Sequence, residues 1–184
     1  MILKKSVLMT SIIIVSLSGM AHAAVDSGNA RGTINFKGQF IDTTCTIEVN
    51  NTNKNEGTVQ LGTWMTNTFD KIGELTEAVP LTIGLSGCPA TLTRARVTFG
   101  GTAHADDNKL YAVSEATGVG IGISGDVNGT NFYTPDTEAD GIDLTSNGGE
   151  KTYYARYVTT ANEVTAGKAN ADVTVTIQYN QQLT

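Results

Sequence analysis

Cys45 and Cys88 are the only two cysteines of this 184-residue chain and the side chains best suited to forming a covalent bond. In an oxidising compartment a lone pair is expected to close one disulfide. The loop between them is long, so the chain-entropy estimate of its contribution is about 4 kcal/mol. The alternative is two separate buried thiols, and a zinc site would need further ligands that no nearby histidine supplies. His104, in the stretch GTAHADDN, could pair with Asp106 or Asp107 as a general base. A Ser-His-Asp triad would have to use that same histidine, and no G-x-S-x-G elbow is present. The turn-like setting makes a solvated loop histidine the expectation. Asp136, Glu138, Asp140 and Gly141 imitate the opening of a calcium loop. Position three is Glu rather than Asp or Asn, and position twelve, where a glutamate should close the shell, is Asn147. A solvated acidic loop is expected there. The glycines of TGVGIGISG lack the G-x-G-x-x-G spacing of a phosphate cradle. No catalytic residue, metal or cofactor is therefore expected.

The elements that would carry these residues begin with a leader. Lys4 and Lys5 precede a mostly apolar run, Val7–Met20, and Ala21-His22-Ala23 forms a small-x-small cleavage signal. Residues 1–23 read as a secretory signal peptide. A membrane anchor is the alternative, but the run is shorter than the roughly 20 apolar residues a spanning helix needs. The whole chain has a formal charge of −6, and residues 1–23 contribute two lysines and no acid, so the exported part is more acidic still. Such a chain has no electrostatic attraction to nucleic acid or to an anionic membrane surface, and no membrane insertion is expected. What remains suits one domain with a real core.

That remainder reads as β almost throughout, with short alternating runs between turn residues. Strands are expected at Thr33–Asp42, Thr44–Val49, Gly57–Leu61, Val79–Leu85, Arg94–Phe99, Lys109–Ala112, Gly118–Ser124, Lys151–Thr159 and Asp172–Tyr179. Turns fall at Asn50–Asn55, Gly100–Asn108, Asp126–Asn131 and Ser146–Glu150, and Trp64–Glu77 holds a short helical turn at most. A sandwich or barrel follows. An antibody-type domain is disfavoured, because the cysteines are too close and Ser86 stands where a tyrosine corner would place Tyr. In the last strand, Val173, Val175, Ile177 and Tyr179 alternate with Thr174, Thr176 and Gln178, marking one apolar face.

Five stretches in order, GTINFKGQFIDTTC, VQLGTW, PLTIGLSGC, ATGVGIGI and the closing YYARYVTTANEVTAGKANADVTVTIQY, resemble a bacterial fimbrial subunit of the type 1 pilin class. The resemblance spans nearly all of the exported chain. It implies an all-β, incomplete immunoglobulin-like sandwich that lacks its final strand and is completed by a donor strand from another subunit or a chaperone. Residues 32–184 would be the pilin domain and residues 24–31 the N-terminal donor-strand extension. In that extension Val25, Ser27 and Asn29 share one face, while Ala24, Asp26, Gly28 and Ala30 share the other. Either set could point inward. Val173, Val175, Ile177 and Tyr179 would form the acceptor groove and chaperone-binding edge. The implied partners are neighbouring fimbrial subunits in a homopolymer, a periplasmic chaperone and an outer-membrane usher; the implied location is a fimbrium at the cell surface. One departure is the tail Asn180–Thr184, since family members usually end one residue after the tyrosine matching Tyr179 and the chaperone grips that carboxylate.

Two rival readings remain at this level. One is a minor, adaptor or tip fimbrial subunit. The other is a secreted carbohydrate-binding module that stacks sugars on some of Trp64, Tyr111, Tyr133, Tyr153, Tyr154 and Tyr157.

Overall fold

A computed structural model describes residues 45–179. The leader 1–23, the extension 24–31, the expected strand at residues 33–42 and the tail 180–184 lie outside the described residues. Seven strands are formed among the described residues: β1 (Thr46–Val49), β2 (Val79–Ser86), β3 (Arg94–Gly100), β4 (Val119–Ser124), β5 (Glu138–Asp143), β6 (Gly149–Thr159) and β7 (Thr174–Tyr179). The one helical element among the described residues is a single 3-10 turn, Thr66–Thr68. All ladders are antiparallel. They make a four-stranded sheet in the order β1-β2-β6-β4 and a three-stranded sheet in the order β5-β3-β7.

The inner faces of the two sheets supply the core. Leu81, Ile83 and Leu85 of β2 and Tyr153 and Ala155 of β6 face Ala95, Val97 and Phe99 of β3 and Ala139 and Ile142 of β5. Phe99 and Tyr153 meet edge to face with ring centroids 4.9 Å apart, one from each sheet. Tyrosine hydroxyls tie the layers by donating to backbone. Tyr111 reaches the Phe99 carbonyl at 2.9 Å and Tyr153 the Asp140 carbonyl at 2.5 Å. Burial pushes both phenols well above the ordinary 10.0, with nearby acidic charge (Asp136 for Tyr111, Asp140 for Tyr153) acting in the same direction. Tyr133 is pushed up to about 12, chiefly by burial and then by its bond to the Asp140 carboxylate. An unfolded chain ionises its tyrosines near 10.0, before these three ionise in the folded state. Their stabilisation is therefore complete below pH 10 and is lost as pH rises through the folded values. Phenolate absorbance of the folded protein should show five of the six tyrosines, Tyr111, Tyr133, Tyr153, Tyr157 and Tyr179, titrating late, and Tyr153→Phe should move the alkaline unfolding midpoint upward.

Strand β4 is buried on both faces, which a lone two-layer sandwich would not require. Val119, Ile121 and Ile123 point into the core. On the other face a Cβ at Gly122 would stand 2.4 Å from the Phe132 ring, and one at Gly120 would stand 2.9 Å from Leu110 Cβ and 3.3 Å from His104 Cδ2. The bare glycine face is thus the seat for two loops. These loops also close the outer edge of β4: Tyr111 exchanges both backbone bonds with Ile121 (2.8 and 3.0 Å), and Tyr133 N–H donates to the Ile123 carbonyl at 2.8 Å.

Four expectations need correction. The acidic stretch Asp136–Asn147 is not a solvated loop: it contains β5, with Ala139, Ile142 and Leu144 buried. Its acids face out and meet cations, Glu138 with Arg96 at 3.5 Å, Asp140 with Lys151 at 3.2 Å and Asp143 with Arg94 at 3.1 Å. Gly57–Leu61 turns Val59 and Leu61 inward but makes no ladder among the described residues. Lys109–Ala112 reduces to bridges at Tyr111. The His104 side chain is only 12% exposed, because it lies over Gly120.

Candidate functional site

The edge of the three-stranded sheet is built by β7. It runs beside β3 in the register Ala95↔Tyr179, Val97↔Ile177 and Phe99↔Val175, and among the described residues β3 is its one strand neighbour. Its burial alternates strictly: Thr174, Thr176 and Gln178 are exposed, and Val175, Ile177 and Tyr179 are half-buried. Val173, just before the strand, is half-buried on the same apolar face, and all four pack against the core. Their direct partners on β3 are buried completely or nearly so, at 0% for Ala95 and Val97 and 1% for Phe99. Cover over one continuous apolar face therefore fades between β3 and β7. The unpaired backbone of an edge strand can accept another chain's hydrogen bonds, and the half-exposed row beneath can accept its side chains.

Tyr179 closes this row at the disulfide. Burial raises its phenol, and the Cys45 backbone N–H partly offsets that rise. Cys45 and Cys88 are bonded to each other. They flank the Thr46↔Ser86 end of the β1–β2 ladder, and the Cys88 N–H donates to the Asn147 carbonyl at 2.8 Å in the turn before β6.

The other candidate chemistry does not assemble. His104 Nδ1 accepts the Asp106 N–H at 3.1 Å, while the Asp106 carboxylate stands 4.0 Å away, so the imidazole serves the turn. Glu138, Asp140 and Asp143 point outward from β5, each toward a different basic side chain, and do not converge on an ion, while Asp136 lies before the strand. The aromatic group divides. Tyr111 and Tyr153 are fully buried, Tyr133 packs edge-on against Tyr153 with centroids 6.1 Å apart, and Trp64 alone is substantially exposed at 42%.

Comparison with known proteins settles the lineage. A sequence model of the family described as fimbrial protein matches residues 34–180. The chain belongs to the fimbrial protein family. The fimbrial subunit type 1 of Salmonella typhimurium is 35% identical over 184 residues, covering 94% of this chain and 97% of that one. The type-1 fimbrial protein A chain of Escherichia coli is 32% identical over 182 residues, covering 94% and 95%. Among solved structures, the P pilus rod subunit PapA matches at a TM-score of 0.61 with 18% identity, covering 73% of this chain and 99% of PapA. A chaperone-usher pilus subunit also matches at 0.61 with 19% identity, covering 83% and 97%. As a fimbrial protein the chain has the immunoglobulin-like two-sheet fold of chaperone-usher pilins, and its role is that of a structural fimbrial subunit.

Proposed function

We propose that this subunit is polymerised by strand exchange at the β7 edge. The row Val173, Val175, Ile177 and Tyr179 accepts an extended segment from outside the domain, first from a periplasmic chaperone and then, at an outer-membrane usher, from the next subunit. Residues 24–31 of each copy are the donor segment, with Val25 the one large aliphatic among Ser27, Gly28, Asn29 and Ala30. The fibre so formed stands on the cell surface and mediates adhesion; no catalytic step is assigned to it.

The observation that carries this reading is the contrast across one register. Val97 is fully buried while its partner Ile177 is half-exposed. Covering one such aliphatic side chain contributes roughly 1.5–3 kcal/mol, and ladder bonds to the free edge add to it. Deleting residues 24–31 separates donor from acceptor. The truncated subunit is expected to be captured by the chaperone as well as the wild type and, lacking a donor for the groove of the subunit ahead of it, to fail to join a growing fibre, as read by fibre length in electron micrographs. Fibres of normal length from the truncated chain would refute the assignment of the donor.

A further inference from the structure

Beside the Tyr157 end of β6 lies a cavity of about 390 Å³, with Trp64, Phe69, Glu74, Thr66, Tyr157 and Lys168 among its lining residues. That is within the volume range of small-molecule sites, which combine apolar walls with a few placed polar groups. We infer that this cavity and the exposed indole at its mouth bind a pyranose sugar.

Trp64 is fixed before any ligand arrives. Its Nε1–H donates to the Leu61 carbonyl at 2.8 Å, the ring lies against Gly62, and Phe69 abuts it edge-on with centroids 6.4 Å apart. The indole's polar atom is thus satisfied internally, and what it offers to solvent is an apolar aromatic face. A pyranose presents a matching face of C–H groups to such a ring and projects its hydroxyls sideways. Polar groups remain to meet them. One carboxylate oxygen of Glu74, Oε2, accepts the backbone N–H groups of Asp70 (2.8 Å) and Lys71 (3.1 Å), which fixes the group. Its other oxygen, Oε1, receives no bond from a described residue and can accept sugar hydroxyls, with charge assistance. Thr66 supplies a hydroxyl among the lining residues, and Lys168 lines the cavity with its ammonium 3.5 Å from the Glu115 carboxylate. A quaternary ammonium ligand fits less well. Trp64 and Phe69 meet edge-on instead of standing apart as the walls of a cage.

Trp64 is the chain's only tryptophan, so its emission reports on this site alone. Titrating the purified exported chain with the methyl pyranosides of glucose, galactose, mannose and N-acetylglucosamine should give a saturable emission change with at least one of them. Choline chloride should give none. Glu74→Gln, which keeps an acceptor for the Asp70 and Lys71 N–H groups, should weaken that sugar about tenfold. Calorimetry on Trp64→Phe should show a loss at least as large. An emission unmoved by all four sugars up to about 100 mM, a response to choline chloride, or unchanged affinity in both variants would overturn the proposal. The titration requires no polymerisation, so its failure would leave the strand-exchange reading standing, and failure of strand exchange would leave the sugar site standing.

Discussion

Ile177→Asp is expected to fold nearly as well as the wild type and to lose capture by the chaperone. Ile177 sits in the middle of the inward row of β7 and is only half-buried in the uncompleted domain. A carboxylate there keeps part of its hydration until a completing strand arrives. The strand must then cover it, which forfeits roughly 1.5–3 kcal/mol of aliphatic burial and adds the several kcal/mol of desolvating an unpaired charge. Together these predict affinity lowered by at least about 100-fold. Thr176→Asp is the control, one residue away on the exposed face of the same strand. Equal co-purification of wild type, Ile177→Asp and Thr176→Asp with the chaperone would remove β7 as the acceptor. Loss in both variants would mean that any added charge on this strand blocks capture, whatever its face.

The row itself was legible in the sequence, because Val173 to Tyr179 obeys period two without interruption. What the sequence could not reveal is that this row is half-exposed while its β3 partners are sealed, since that contrast exists only once the sheet order is known. β5 was missed for a local reason. Its buried residues Ala139 and Ile142, with Leu144 just beyond its end, are spaced three and then two. The register shift opposite Ala95–Val97 inserts the extra residue, so the alternation is broken where its acids already suggest a loop. Gly57–Leu61 erred in the opposite direction: its side chains alternate inward, but period two reports a face and not a ladder. The seat of Phe132 on Gly122 and of His104 on Gly120 left no periodic trace in either loop, because each is a long-range contact between irregular chain and a strand. Trp64 illustrates the same limit. Its type was visible, but its exposure and its locked indole N–H depend on Leu61 and Gly62 adopting one particular turn.

Replacing both cysteines by serine is expected to lower stability by about 4 kcal/mol, the loop-closure contribution for a bridge of this length. That is a large share of the roughly 5–15 kcal/mol available to a domain, and corresponds to a Tm lower by about 10 °C. The position of the bridge argues for a wider effect than loop entropy. Cys45 precedes β1 and its N–H faces the Tyr179 phenol at the end of β7, while the Cys88 N–H holds the turn that leads into β6. Cutting the bond loosens both sheets at the end where the acceptor row finishes. Fibre yield should therefore fall in the double variant, and the urea midpoint with it. The two variants should nonetheless differ in kind. Cooling or a stabilising osmolyte favours the folded domain and should restore capture to Cys45→Ser/Cys88→Ser, whose row is chemically intact. Neither treatment should rescue Ile177→Asp, whose defect lies in the surface offered to the incoming strand. Unchanged fibre yield and an unchanged urea midpoint in the double serine variant would show that the bridge has no structural part in the subunit.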